Sequence, residues 1–340
     1  MPDYIGEAVD QLVTIEVKNR GGPHGILAPL YKAARETCGS GRPLTAVIAE
    51  RLRDTIKPGD TVFIVTGAGY VPTMEKGESD GPPGAAALAR VLHKGLGAVP
   101  VFVVEHNHVD VMAAAATAVG LGLRSFEQAS ATRLGAAFAI APKQQDAVGG
   151  WIGEIVDGMK PVAVIGVERL APGRDGAIYA AKGLPLSGPN AINEGLIDIS
   201  EVMPAAKRAG ALTIGIGDHG NELGFGTIYD TVVATMPHGE KLATTVEADL
   251  VLPAMTSNWG SYGIEAVLAF LLGRPELMHS AEAEERMLRR IFEAGVLEAS
   301  AFTAEFLVDG LDGETSVSLV QILGNIVRKN LEKPVGYAGR

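Results

Sequence analysis

Residues 211–226 read ALTIGIGDHGNELGFG, a short apolar run that opens into a polar loop framed by glycines. A β-branched run of this length, bounded by glycine, reads as a strand buried on both faces. The pattern of Ala211 to Ile216 recurs at Thr61 to Thr66, Val99 to Val104, Ala136 to Ala141, Pro161 to Gly166 and Asp249 to Pro253. Between these runs lie alanine- and leucine-rich stretches with helical spacing: Ala85 to Leu96, Val109 to Val119, Glu201 to Arg208 and Gly263 to Leu272. Strand alternating with helix predicts an α/β fold with a doubly wound, mostly parallel sheet and helices on both faces. In such sheets ligands bind beyond the carboxyl ends of the strands. The order of the strands is not contained in one sequence.

No repeat or composition break divides the chain, so residues 1–340 are expected to form a single α/β domain. Its parts are an N-terminal helical segment (1–60), an α/β core (61–275) and a C-terminal helical segment (276–340). Asn19 to Gly25 reads as a turn. The charged run from Ala281, AEAEERMLRRIFEAG, reads as a solvated outer face.

The 340 residues include 40 acidic and 29 basic side chains, a net charge of −11, and the basic residues never cluster beyond pairs. That balance argues against nucleic acid or anionic lipid as a partner, because phosphate contacts need concentrated positive charge. No apolar run approaches the roughly 18 residues of a membrane span. The lone Cys38 excludes an internal disulfide and any multi-cysteine metal site. The start, MPDYIGEAVDQL, lacks a basic, apolar leader, and a cytoplasmic location is expected. A small molecule is the expected partner; a homo-oligomer is left open.

Four loops after strands hold the chemistry. In Gly67 to Arg90, Asp80 precedes Pro82 and Pro83 at a helix entrance; Asp80 either caps that helix, or the helix start near Gly84 receives a substrate carboxylate. Val167 to Ser200 is too long for an ordinary connection and mixes Glu168, Arg169, Arg174, Asp175, Tyr179 and Lys182. It reads as a binding loop with carboxylates for proton transfer beside cations for an anionic substrate, or as a surface loop stitched by salt bridges. In Gly215 to Gly226, the glycines formally spell G-x-G-x-x-G, but Asp218 and Glu222 would repel a pyrophosphate. Asp218, Asn221 and Glu222 are instead hard oxygen donors of the kind Mg²⁺ or Mn²⁺ takes, or parts of a capped glycine turn. His219 is the proton-transfer candidate inside this run. In Met255 to Ala266, Asn258 can cap a helix beginning near Trp259, and Trp259 with Tyr262 forms either a pocket wall or core. Glu105-His-Asn-His108 reads as a solvated turn or a metal-binding pair.

Taken together, the segments Gly77 to Leu92, Gly166 to Gly183, Ile214 to Gly226, Ser257 to Leu271 and Val308 to Leu323 resemble the glutamate cyclase-like family. This is the C-terminal domain of D-glutamate cyclase, which also occurs as a free-standing bacterial protein. The resemblance implies an α/β domain that interconverts D-glutamate and 5-oxo-D-proline, with Mn²⁺ as its metal and Mg²⁺ as the alternative. His219 stands where the family's acidic run usually has a second glycine. Ala177-Ile-Tyr and Ala181-Lys-Gly replace the family's usual Asn-Tyr-Tyr and Met-Arg-Gly.

The expected mechanism is ring closure by intramolecular dehydration, or its reverse. A metal on Asp218, Asn221 and Glu222 would neutralise the reacting carboxylate. Glu168 or Asp175 would serve as base and His219 as acid, with substrate contacts from Asp80, Gly84, Arg174, Lys182, Asn258 and Trp259. The alternatives are a metal-dependent hydrolase of another lactam or cyclic amide, and a small-molecule sensing module without turnover.

Overall fold

A computed structural model describes residues 2–18, 25–38, 41–188, 191 and 196–332. All but Gly25 of the expected Asn19 to Gly25 turn lies outside them. Six parallel strands, β1 (Thr61–Thr66), β2 (Val99–Val104), β3 (Ala137–Ile140), β4 (Ala163–Val167), β5 (Leu212–Gly217) and β6 (Leu250–Pro253), form one sheet. Every residue of β1, β2 and β5 is buried, as their unbroken apolar runs require.

The strand order is β3-β2-β1-β4-β5-β6. The chain winds outward from β1, returns past it to β4, then winds the other way. Because parallel crossovers are right-handed, this reversal puts the two sets of connecting helices on opposite faces of the sheet. Helices Pro82–Val91 and Val109–Ala118 pack together; Gln145–Met159 packs with Val202–Arg208. A crevice opens between the carboxyl ends of β1 and β4, where the winding direction changes.

Helix Ser257–Leu271 is the axis of one helical layer, with every residue except Leu271 buried. The N-terminal helices Pro2–Val13 and Leu44–Thr55, the Pro82–Val91 helix and the C-terminal Gly313–Leu331 helix all pack on it. Gly263 leaves room for Val9, Val13 and Thr45 of the two N-terminal helices, Ser261 meets Gly84 of the Pro82–Val91 helix, and Gly260 lets the axis lie close on Ile216 and Leu252 of the sheet. The axis begins six residues before the Gly263 expected from apolar spacing, since its first turns are small and polar and depend on tertiary partners for burial. Among the described residues, no helix is long and apolar enough to cross a membrane.

The Ala281–Glu293 helix corrects the expectation of a purely solvated face. Met287, Leu288 and Ile291 are buried, and so is Glu284. Tyr262 donates to both oxygens of Glu284, at 2.9 and 2.8 Å. His279 lies between two carboxylates, with Nδ1 2.6 Å from Glu265 Oε2 and Nε2 3.3 Å from Glu284 Oε2. Burial disfavours charge on this imidazole, but the two carboxylates outweigh it and raise its pKa to about 9. A raised histidine pKa stabilises the fold fully below its unfolded value of roughly 6.5, and the contribution is lost as pH rises through about 9. His279→Gln should therefore cost roughly 3–5 kcal/mol at pH 6. Thermal melts of both proteins across pH should show that gap narrowing between pH 7 and 10; a pH-independent gap would refute a charged His279.

Candidate functional site

The turn after β5 is built around one side chain. Glu222 Oε1 accepts from the N–H groups of Asp218 (3.1 Å) and His219 (2.9 Å), and Oε2 accepts from that of Gly220 (2.7 Å). This is possible because residue 217 is glycine: a Cβ there would sit 2.6 Å from the Glu222 carboxyl carbon. The folded-back turn sets Asp218 at the end of β5, with His219 Nδ1 against Asp218 Oδ1. Asn221 Nδ2 donates to the Tyr179 carbonyl at 2.8 Å, anchoring the long loop after β4. Its Oδ1 is buried with no hydrogen-bond partner among the described residues.

Two helix N-termini meet at the same place and cap each other. Asp80, just before the Pro82–Val91 helix, accepts from the N–H groups of Ser257 (2.7 Å) and Asn258 (2.8 Å). Asn258 Oδ1 returns the contact by accepting from Gly81 (3.0 Å) and Gly84 (2.7 Å). A Cβ on Gly84 would lie 2.9 Å from the Asn258 backbone, so glycine is what allows the exchange. Each helix thereby satisfies the other's orphan donors, and both positive dipole ends face Asp80.

Glu168 completes the arrangement. It sits directly after β4 in a left-handed conformation (φ 47°), which a non-glycine residue holds only when its surroundings impose it. Its Oε2 accepts from the Ser257 hydroxyl at 2.6 Å. One carboxylate oxygen each from Asp80, Glu168 and Asp218 lie within 4.8 Å of one another, and Asp218, His219 and Glu222 form a second, overlapping group. Burial, reinforced by the neighbouring negative charges, pushes the carboxyls of Glu78, Asp80 and Glu168 well above their usual range and that of Glu222 to about 7. Hard, buried oxygens that converge on one point are the donor set a divalent ion fits.

Above this floor lies a cavity of about 340 Å³ bordered by Glu168, Asp218, His219, Asn221 and Lys182. Two further carboxylates, Glu78 and Asp309, also line it. Asp309 comes from a hairpin, β7 (Leu307–Val308) and β8 (Leu311–Asp312), whose two turn residues, Asp309 and Gly310, both have positive φ, as the tightest turns require. Neither was singled out from sequence, although both fall in the stretches that carry the family resemblance. Only tertiary contact brings a C-terminal hairpin to the strand ends.

The structure withdraws several expected substrate contacts. Asp80 caps the Ser257–Leu271 helix, and Asn258 serves the Pro82–Val91 helix; at its own helix Thr256 accepts from Trp259. The Gly84 N–H is already bonded to Asn258, so that helix start does not receive a substrate carboxylate. Arg174 is exposed and stacks on the Tyr229 ring at 4.2 Å. Asp175 is exposed as well, bonded to the Ala177 N–H and the Tyr179 hydroxyl, outside the cavity lining. Trp259 is core, its Nε1 donating to Ser316 Oγ at 3.0 Å, and Tyr262 belongs to the Glu284 network. At the end of β2, His106 is exposed while Glu105 and His108 are buried together. Arg169 donates to Glu105 and, at 2.9 Å, to the Gly67 carbonyl. Burial works against the Glu105 charge, but Arg169 and His108 prevail and lower its pKa to about 2. That segment is a buried ion cluster, neither a solvated turn nor a histidine pair for metal.

A family model described as D-glutamate cyclase-like, C-terminal, matches residues 9–324. The chain belongs to this family. Its resemblance to human mitochondrial D-glutamate cyclase is 34 % identity over 110 residues, which cover 32 % of this chain and 17 % of that protein. The aligned part is thus about a sixth of the human relative. In this member of the family the reciprocal caps hold the site, which gives a stability test. Asn258→Ala should leave the buried Gly84 N–H unpaired and take from the Ser79 carbonyl its Asn258 Nδ2 donor, while Gly81 keeps Asp80 as acceptor, and should cost about 2–4 kcal/mol. Denaturant unfolding measures this; a loss below about 0.5 kcal/mol would show that the caps do not hold the two helix starts together.

Proposed function

We propose that the chain interconverts a glutamate-type amino acid, D-glutamate in the first place, and its lactam 5-oxo-D-proline, with a divalent cation, Mn²⁺ before Mg²⁺, at the strand ends. The observation that carries this reading is the buried convergence of Asp80, Glu168 and Asp218 beneath the cavity, in a chain of this family. These three residues would hold the ion. Glu222, assigned to the metal on sequence grounds, falls in the overlapping group with Asp218 and His219 and organises the turn through three backbone N–H groups. When bound, the cation supplies Lewis-acid neutralisation of the reacting carboxylate, which otherwise resists an amine nucleophile.

The chain's own groups do the rest. Lys182, on the cavity wall, counters the substrate's other carboxylate. His219, steadied by Asp218, takes a proton from the ammonium group and returns it to the departing oxygen. The nitrogen lone pair forms the C–N bond, one C–O bond breaks, and two ammonium protons leave with that oxygen as water. Confinement in the cavity holds the chain in the folded-back shape that ring closure needs. The same groups run in reverse open the lactam.

Chelation should abolish turnover of D-glutamate and of 5-oxo-D-proline, and Mn²⁺ should restore it. Asp218→Asn should cut the rate at least about a hundredfold. The same variant should keep or raise the melting temperature of metal-free protein, because it removes one of several buried like charges. It should also lose the stabilisation that Mn²⁺ gives the wild type. Full activity after chelation would overturn the metal role. Substrate-induced stabilisation without product would favour the sensing module.

A further inference from the structure

We infer that the substrate of this site carries an apolar alkyl or aryl group on its carbon skeleton, an inference that rests on the glutamate-to-lactam reading above. The cavity lining combines charged and polar side chains, Lys18, Glu78, Lys182 and Asp309 among them, with a large set of apolar ones. Its floor is Glu168, Asp218 and Asn221, where the reacting groups would sit. The lining also presents Ala68, Tyr70, Leu170, Leu184, Leu186 and Phe302. Free glutamate consists of two carboxylates and an ammonium group joined by a short chain, and its lactam is scarcely less polar. Neither offers a surface that could cover these side chains.

The apolar walls are a constructed feature. Ala68, Leu170, Ile178 and Leu186 form a hydrophobic cluster of their own, apart from the main core. It joins the loop after β1 to the long loop after β4, whose turn is closed by the Tyr179–Pro185 bridge. The wall therefore has its own packing and is present before any ligand arrives. Leu184 and Phe302 remain 46 % and 44 % exposed, from two loops distant in sequence that border one cavity. Apolar side chains left facing a concave site are what an apolar ligand group would cover. At about 340 Å³ the cavity falls within the roughly 300–1,000 Å³ of sites that enclose drug-sized ligands, well beyond what a free amino acid fills.

The chemistry leaves room for such a group. Both carboxylates and the amine take part in closure or anchoring, so the substituent belongs on a chain carbon, and the lactam carries it at the matching ring position. Because Ala68, Leu170, Leu184, Leu186 and Phe302 carry no hydrogen-bonding side-chain group, the fitting class is branched alkyl or benzyl.

The test compares D-glutamate with its 4-methyl, 4-isobutyl and 4-benzyl derivatives, together with the corresponding lactams, using Mn²⁺-loaded protein. Product chromatography gives kcat/KM, and thermal melts give ligand stabilisation. The isobutyl or benzyl compound should exceed the parent in kcat/KM by at least about tenfold, the scale on which hydrophobic pockets discriminate. Leu184→Ser and Phe302→Ser should each bring that ratio back toward unity; both positions are exposed enough for the fold to be retained, which circular dichroism checks. Turnover of the parent with loss of activity on substitution would overturn the inference and leave the cyclase reading standing. Stabilisation by the substituted compounds in the same order, with no product from any of them, would uphold the inference and overturn the cyclase reading. Neither turnover nor stabilisation by any compound would overturn both.

Discussion

Everything at the strand ends answers to one electrostatic constraint: several carboxylates are buried around one point, and each opposes the ionisation of the others. Such a cluster costs stability unless something holds it in place. Here the restraint comes from backbone N–H groups. Asp80 takes the first amides of the Ser257–Leu271 helix, Glu222 takes three from the turn after β5, and Asp218 is presented by that turn. Two helix dipoles aimed at Asp80 and donors fixed by short loops supply partial positive charge. Two cations of the long loop are spent elsewhere, Arg169 on Glu105 and Arg174 on an aromatic ring, while Lys182 borders the cavity.

This constraint explains where the fold is least tolerant. Gly84 and Gly217 permit backbone approaches that any Cβ would prevent, and both approaches exist to place a cap or a carboxylate. Glu168 accepts a left-handed backbone at the end of β4, and strain of that kind persists only where the surroundings over-determine it. The Ser257–Leu271 helix supplies Ser257 to Glu168 and Asn258 to the opposing helix, so its burial on all sides serves the site as much as the core. Stability and site geometry are therefore coupled through the same few residues, which is the usual setting for a trade-off between the two.

Much of this could be read from the chain. The strands at Thr61–Thr66 and Val99–Val104 coincide with their apolar runs, and the other four fall within two residues, since a strand buried on both faces has almost no polar interruption; β3 departs from that burial, because it lies at the sheet edge and leaves Ile140 exposed. The acidic glycine run was legible because glycine and carboxylate together at a strand end are costly unless used. Glu78 and Asp309 were not legible: an isolated acid in a loop has no local mark of burial. The functions of Asp80 and Asn258 were half legible, since each residue type caps helices, but which helix it caps depends on a partner about 180 positions away.

By itself the sequence determined the class of fold, the loops that matter and the family, because periodicity, glycine placement and motif are properties of neighbours along the chain. The tertiary structure alone decided the strand order with its switch point between β1 and β4, the exchange of caps between two distant helices, and the hairpin that carries Asp309 to the cavity. It also separated residues that touch the cavity, such as Lys182 and His219, from those of the same chemistry that do not, such as Arg174 and Asp175. The reason is physical: charge and hydrogen bonding act over a few ångströms in space, and sequence spacing is a measure of that distance only within a turn or two of helix or strand.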